Sequence, residues 1–391
     1  MNITEVISKK DKRDFLEVPK ILYKNNKDWT CPLDNEINKI FTPEQNIFYT
    51  HGEAIRFLLK DEKGKLIGRI ASFINRNKAY TNDQPTGGCG FFECINDQEA
   101  AFLLFNTAKK WLEERGMEAM DGPINFGEND NHWGLLVDGF MKQGMGMPYN
   151  HAYYKDFFYN YGFKLYFEQY SYHRNIKEPL QERFKKIATW VTKKPEYDFR
   201  HFTYKNKDQF IDDLISIYTK AWQFHDNFTP LEKETITEIM DDAKLILEEE
   251  FVWFAYHNNK PIAFFVMMPD LNQALRHING KLDLFSKLKL FYLLKRNVIT
   301  RARITVMGIT PEFQGKGIES AIFLKLYNIV RSKDHYTELE LSWVGDFNPK
   351  MQSIYEAVGG IKMKTHQTLR YLFNKNAAFK RYPIINSEEK K

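Results

Sequence analysis

The residues most able to do chemistry sit where an apolar strand gives way to a glycine turn. Val306-Met307-Gly308-Ile309 runs into Thr310-Pro311-Glu312-Phe313-Gln314-Gly315-Lys316-Gly317, and the apolar pattern Ala321-Ile322-Phe323-Leu324 opens a helix directly afterwards. Backbone N–H groups of such a turn, with the unpaired N–H groups of the first helical turn, converge on an anion such as a phosphate. Gly315 and Gly317 let that anion approach the backbone without a Cβ in the way. About thirty residues on, Glu338-Leu339-Glu340-Leu341-Ser342-Trp343 alternates as a strand and puts Glu338, Glu340 and Ser342 on one face. If that face lines a cleft, Glu340 is placed as a general base; if it is solvated, all three are surface residues. A further polar group, Glu128, Asn129, Asp130 and His132, gathers in the stretch from Asn125 to Trp133. It is either one wall of a substrate cleft or a solvated loop.

The elements that must position these groups follow from periodicity. Ala54 to Leu59 and Leu66 to Ile74 predict a hairpin around Asp61-Glu62-Lys63-Gly64-Lys65. Gly90 to Ile95 predicts a strand, Asn96 or Asp97 caps a helix that ends at Gly116, and Glu118 to Ile124 returns as a strand. Tyr153 to Tyr161 predicts a helix stopped by Gly162, followed by a strand from Lys164 to His173. The turn between Ile95 and Glu99 has no glycine, so no second phosphate loop is expected there. A basic helix, Glu182 to Lys193, leads into a second α/β series with a helix from Asp208 to Trp222 and a hairpin through His257-Asn258-Asn259-Lys260. Asn348 with Pro349 starts another helix, and Gly359-Gly360 stops it. The expected organisation is residues 1–178, a connecting helix over 179–198, a second domain over 199–373 and a loose polar tail over 374–391.

Composition narrows the function. The 391 residues carry a net charge of only +5, which does not argue for nucleic acid. Cys31, Cys89 and Cys94 form neither a metal spacing nor an even disulfide set, so no metal is expected and a reducing cytoplasm is the simplest compartment. No apolar run reaches ~18 residues, so no spanning helix is expected. The stretch Leu282 to Arg296 is unusual, being both basic and strongly apolar. It predicts either a peripheral membrane contact or channel lining, or a helix packed across the two domains.

Taken together, the two later segments resemble the GNAT superfamily of acyl-CoA N-acyltransferases. Gln314 and Gly317 match its phosphate loop, and Asn348, Met351, Tyr355, Glu356 and Gly359 match its later motif. The resemblance implies an α/β (α+β) fold of two tandem GNAT-like domains, each a mixed, mainly antiparallel twisted sheet flanked by helices. The N-terminal domain would be a degenerate copy. By the same resemblance, coenzyme A or acyl-CoA is a cosubstrate and no cofactor is bound permanently. Gln314, Gly315, Lys316, Gly317, Ile318, Glu319 and Ser320 would hold its pyrophosphate. Gly308 and Ile309 would meet the pantetheine and the thioester carbonyl, Asn348 would bond the pantetheine arm, and Tyr355 would protonate the leaving thiolate. Asn129, Asp130, His225 and Ser342 would border the amine acceptor, with His225 and Asp226 an alternative to Glu340 for the base. Glu319 departs from the family's usual Gly or Ala.

A narrower resemblance rests on Gly317-Ile318-Glu319, Glu340-Leu341-Ser342-Trp343, Phe91-Phe92-Glu93-Cys94 and Gly134-Leu135-Leu136-Val137-Asp138-Gly139-Phe140. It is to a tandem GNAT-like branch of bacterial proteins in which an acid after Gly-Ile is usual and which includes proposed ceramide synthases. The function this implies is N-acyl transfer from a CoA thioester to an amine, in the narrower form a long acyl chain to a lipid amine. Alternatives are a non-catalytic ligand-binding pair of GNAT folds, and transfer from acyl carrier protein or aminoacyl-tRNA.

Overall fold

The computed structural model describes residues 1–129, 131–222 and 230–385. The N-terminal half holds strands β1 (Asn2–Glu5), β2 (Gly52–Lys60), β3 (Leu66–Asn75), β4 (Thr86–Cys94), β5 (Ala119–Gly122), β6 (Leu135–Asp138) and β7 (Lys164–Asn175). Its helices are α1 (Lys9–Leu22), α2 (Asp34–Ile40), α3 (Arg76–Ala79), α4 (Gln98–Glu113) and α5 (Tyr154–Tyr161). The C-terminal half holds β8 (Tyr197–His201), β9 (Val252–His257), β10 (Lys260–Pro269), β11 (Arg301–Ile309), β12 (Glu338–Gly345) and β13 (Ile361–Leu372). Its helices are α6 (Glu182–Thr192), α7 (Lys207–Trp222), α8 (Lys233–Asp242), α9 (Asn272–Leu275), α10 (Leu284–Lys295), α11 (Ile318–Ser332) and α12 (Pro349–Ala357).

Among the described residues these strands form one continuous sheet in the order β1-β2-β3-β4-β5-β13-β7-β12-β11-β10-β9-β8, with β6 on β13. Ten of its twelve pairings are antiparallel; β4 with β5 and β11 with β12 are parallel. Each parallel pair is spanned by one helix, α4 in the first half and α11 in the second, as a parallel connection requires. The expected two sheets are therefore present but run together. At the junction the halves trade strands: β13 lies between β5 and β7, and β7 lies between β13 and β12.

Two cores flank this junction. One packs α4 and α5 on the N-terminal strands through Leu104, Phe105, Ala108, Phe157 and Phe158. The other packs α11 on β9 to β12 through Ala321, Ile322 and Leu326. The segment expected to connect the domains belongs to this second core, because α6 buries Phe184, Ala188 and Val191 and packs on α11. Helices α7 and α8 cover the opposite face of β9 and β10 through Phe210, Ile217, Phe254 and Phe264.

Candidate active site

The parallel pairing of β11 and β12 begins at Arg301 with Glu338 and stops at Ile304 with Leu341. Both strands continue past that point, β11 to Ile309 and β12 to Gly345, and no longer pair with each other. β11 stays bonded to β10 as far as Ala263 with Ile309. β12 bulges against β7 between Leu341 and Val344, which places Ser342 and Trp343 in the bulge. A V-shaped gap results, with unpaired main-chain groups of Thr305 to Ile309 along one side. At the head of the gap Gln314 ties the turn down: its Nε2 donates to Ile309 O (3.2 Å), and its Oε1 accepts from Lys350 Nζ (3.2 Å). Gly315 and Gly317 both have positive φ, 73° and 81°. A Cβ on Gly317 would also stand 3.0 Å from Ile187 of α6, so the turn is pinned against that helix.

Gly317 caps α11 with no side-chain hydrogen bond to its first amides. The corresponding helix of the first half differs, because the Asp97 carboxylate accepts from the amides of Glu99 and Ala100. An anion at α4 would meet a carboxylate already seated there, whereas α11 offers its dipole and amides to a ligand. Glu319 lies in the first turn of α11, with one buried carboxylate oxygen lacking a partner. Burial raises its pKa, opposed by a bond from its own amide and by the Lys350 charge.

The wall across the gap comes from both halves. Trp222, at the end of α7, lies over Gly308, where an added Cβ would be 2.6 Å from the indole. Trp222 stacks on Tyr218 at 4.8 Å between ring centroids. Burial raises the Tyr218 pKa, and the charge of Glu128 from the N-terminal half raises it further, so the two groups face one another. Beside Glu128, Asn129 accepts from Gln169 Nε2 (2.9 Å), and Trp133 donates to Thr368 Oγ1 (2.9 Å). On the other face of the sheet Tyr355 is buried edge-on against Tyr172, with centroids 5.5 Å apart. Burial is the main cause that raises the Tyr355 pKa, so its phenol stays protonated across the physiological range.

No family model matches the chain. It is 28% identical over 383 residues to the bacterial ceramide synthase of Caulobacter vibrioides, covering 94% of this chain and 96% of that one. It is 26% identical over 382 residues to protein YghO of Escherichia coli, covering 92% and 93%. Among solved structures, the tandem GNAT protein from the clavulanic acid biosynthesis pathway superposes with a TM-score of 0.56 at 9% identity, over 96% of this chain and 99% of that one. The chain has the tandem GNAT fold.

Within that GNAT fold, Glu340 is not where a base must be. It is fully buried, with Arg303 Nε 2.8 Å from its Oε1. Its Oε2 faces His173 Nε2 at 2.9 Å, Lys364 Nζ at 3.1 Å and Arg301 Nη1 at 3.3 Å. Desolvation is overcome chiefly by the charges of Lys364 and Arg303, which hold the carboxyl well below its ordinary range. A carboxylate so held has no tendency to take an amine proton. The network extends to Asp270, 2.9 Å from Arg301 Nε, and is closed over by the N-terminal half: Met145 donates to Asp270, and its carbonyl accepts from Arg303. Strand alternation alone missed this, yet a signal was present. Arg301-Ala302-Arg303 and Glu338-Leu339-Glu340 alternate in step, and the parallel register pairs Arg301 with Glu338 and Arg303 with Glu340. Asn348 serves as the cap of α12, accepting from Met351 N at 3.2 Å. Asp130 and His225, with Asp226, lie outside the described residues. Tyr218, Trp222 and Gln169 join the site without having been expected from sequence, because each reads as an ordinary strand or helix residue.

Proposed function

We propose that the chain is an N-acyltransferase that moves an acyl group from a CoA thioester to an amine. The observation that carries this reading is the gap between Thr305–Ile309 and Ser342–Gly345, which opens beside the uncapped amino end of α11. In this reading the turn from Gln314 to Ser320 receives the pyrophosphate and the main chain of Gly308 and Ile309 lies along the pantetheine. The amine enters between Trp222 and the Glu128–Asn129 stretch, near Ser342. Its nitrogen forms a bond to the thioester carbonyl carbon, the C–S bond breaks and the departing thiolate takes the Tyr355 proton, while the proton lost from the nitrogen passes to solvent water, from which the phenolate regains one. The full-length similarity to a protein named ceramide synthase supports the narrower form, a long acyl chain and a lipid amine.

Calorimetric titration with acetyl-CoA and palmitoyl-CoA tests the donor. Heat with either ester, stronger with the long chain for the narrower form, is the expected result. Silence with both overturns the CoA donor and turns attention to carrier-bound donors or to a purely binding role. With an active donor and amine in hand, Tyr355→Phe is expected to lower kcat about 10²-fold or more with little change in CoA affinity. Unchanged turnover removes Tyr355 from the acid role.

A further inference from the structure

The helix α10 buries none of its residues, although eight of its twelve are Leu, Phe or Tyr. A helix apolar all round is normally covered. At about 100° per residue its positions divide cleanly. Leu290 and Leu294 turn inward and pack on the C-terminal core, while Leu290 also meets Leu33 and Leu275. Leu284, Phe285, Leu288, Phe291 and Tyr292 turn outward in one stripe and are 58–82% exposed. Lys287 and Lys289 flank that stripe on either side. Lys295 lies over the Phe291 ring at 4.6 Å and Arg296 over that of Tyr292 at 5.9 Å. The helix is held firmly in this pose, since Asp283 caps it and Lys289 Nζ donates to His277 O at 2.6 Å.

We propose that α10 docks the protein on an anionic lipid bilayer, lying in the plane of the headgroups with its outer stripe among the acyl chains. Charge selects this occupant. From Lys281 to Arg296 there are five cations, Lys281, Lys287, Lys289, Lys295 and Arg296, against the single carboxylate Asp283, a net of +4. A second copy of the chain seated on this face would bring the same net charge against it, whereas anionic headgroups complement it. Lysine stems lie along the border of the apolar stripe, as that of Lys295 does over Phe291, and leave their charges at the level of the headgroups. Among the described residues no helix is long and apolar enough to cross a membrane, so the contact is peripheral. This surface does not depend on the transfer reaction, and its test needs neither donor nor amine.

The full chain is sedimented with vesicles of mixed phosphatidylglycerol and phosphatidylcholine, and with phosphatidylcholine alone. Binding to the mixed vesicles that weakens as salt rises is expected. The double variant Phe285→Ser, Phe291→Ser, checked for an unchanged melting temperature, is expected to lose at least about tenfold in vesicle affinity. The pair Lys287→Gln, Lys295→Gln is expected to erase the preference for the anionic lipid. Failure of the native protein to bind mixed vesicles overturns the proposal, as does equal binding by the Phe285→Ser, Phe291→Ser variant. Conversion of a dimer to a monomer by that variant on gel filtration, with no vesicle binding, assigns the face to a second copy and also overturns it.

Discussion

At the scale of single residues, burial and neighbouring charges move the titration of several groups away from their ordinary range. His366 is fully buried, donates from Nε2 to Pro148 O (3.1 Å), and has its pKa pushed down to about 4, chiefly by burial. His132 is pushed down to about 4 for the same reason. An imidazole that folds neutral is protonated first in the unfolded chain, so its contribution to stability is present above about pH 6.5 and is lost as pH falls towards 4. Glu340, held below its usual range, adds a loss of the same sign in stronger acid. Glu93 works the other way: burial lifts it to about 7 despite the nearby Arg69, so its contribution fades as pH rises through that value. The His366 part is isolated by comparing the native chain with His366→Gln. The melting temperature of the variant should fall less steeply between pH 6.5 and 4.5, by up to about 3 kcal/mol of stability across the window. Parallel curves would show that the imidazole does not titrate on unfolding. That Glu340 belongs among these held charges and not among the bases was only hinted at in sequence, by the matching alternation of Arg301 and Arg303 with Glu338 and Glu340. Alternation tells which residues share a face, and only the tertiary fold tells whether that face meets water, substrate or another part of the chain.

Elements were read with more success, and the reason is local. Asp97 followed by Glu99, and Gly162 after Tyr161, are cap signals whose geometry depends on a few neighbouring residues, and α4 and α5 begin and end there. The glycine turn before α11 was legible for the same reason. What no window could reveal is where a long strand finds its partners. β7 and β13 pair with strands far away in sequence. The register of β11 shows what such an element contributes to function. Gly308 lies where Trp222 and Phe264 crowd the strand at 2.6 and 2.7 Å from any added Cβ. Gly308→Ala is therefore expected to push the α7 end outward, at a cost of about 1–3 kcal/mol in stability, and to raise KM for the amine. A fully active variant with the native melting temperature would mean that Trp222 yields freely and does not shape the acceptor wall.

For the whole molecule, the exchanged strands decide how it must fold. The polar network under the junction draws Asp270, Arg301, Arg303, Glu340 and Lys364 from the C-terminal half and is roofed by Met145 from the other. Removing that roof would leave buried charges facing water on one side and unpaired strand edges on the other. The chain is accordingly expected to melt in a single calorimetric transition, with the two halves losing structure together. Two resolved transitions would show that the halves stand apart as separate folding units.

The strand exchange has a further consequence for how the two halves are joined. β13 closes the gap between β5 and β7, and β7 closes the gap between β13 and β12, so each half holds the other by its own final strand. The molecule is built like a domain-swapped dimer whose two protomers share one polypeptide. Covalent continuity between Ile176 and Glu182 is then a matter of effective concentration more than of architecture. Two separately produced pieces, divided there, have what they need to find each other and complete the same sheet.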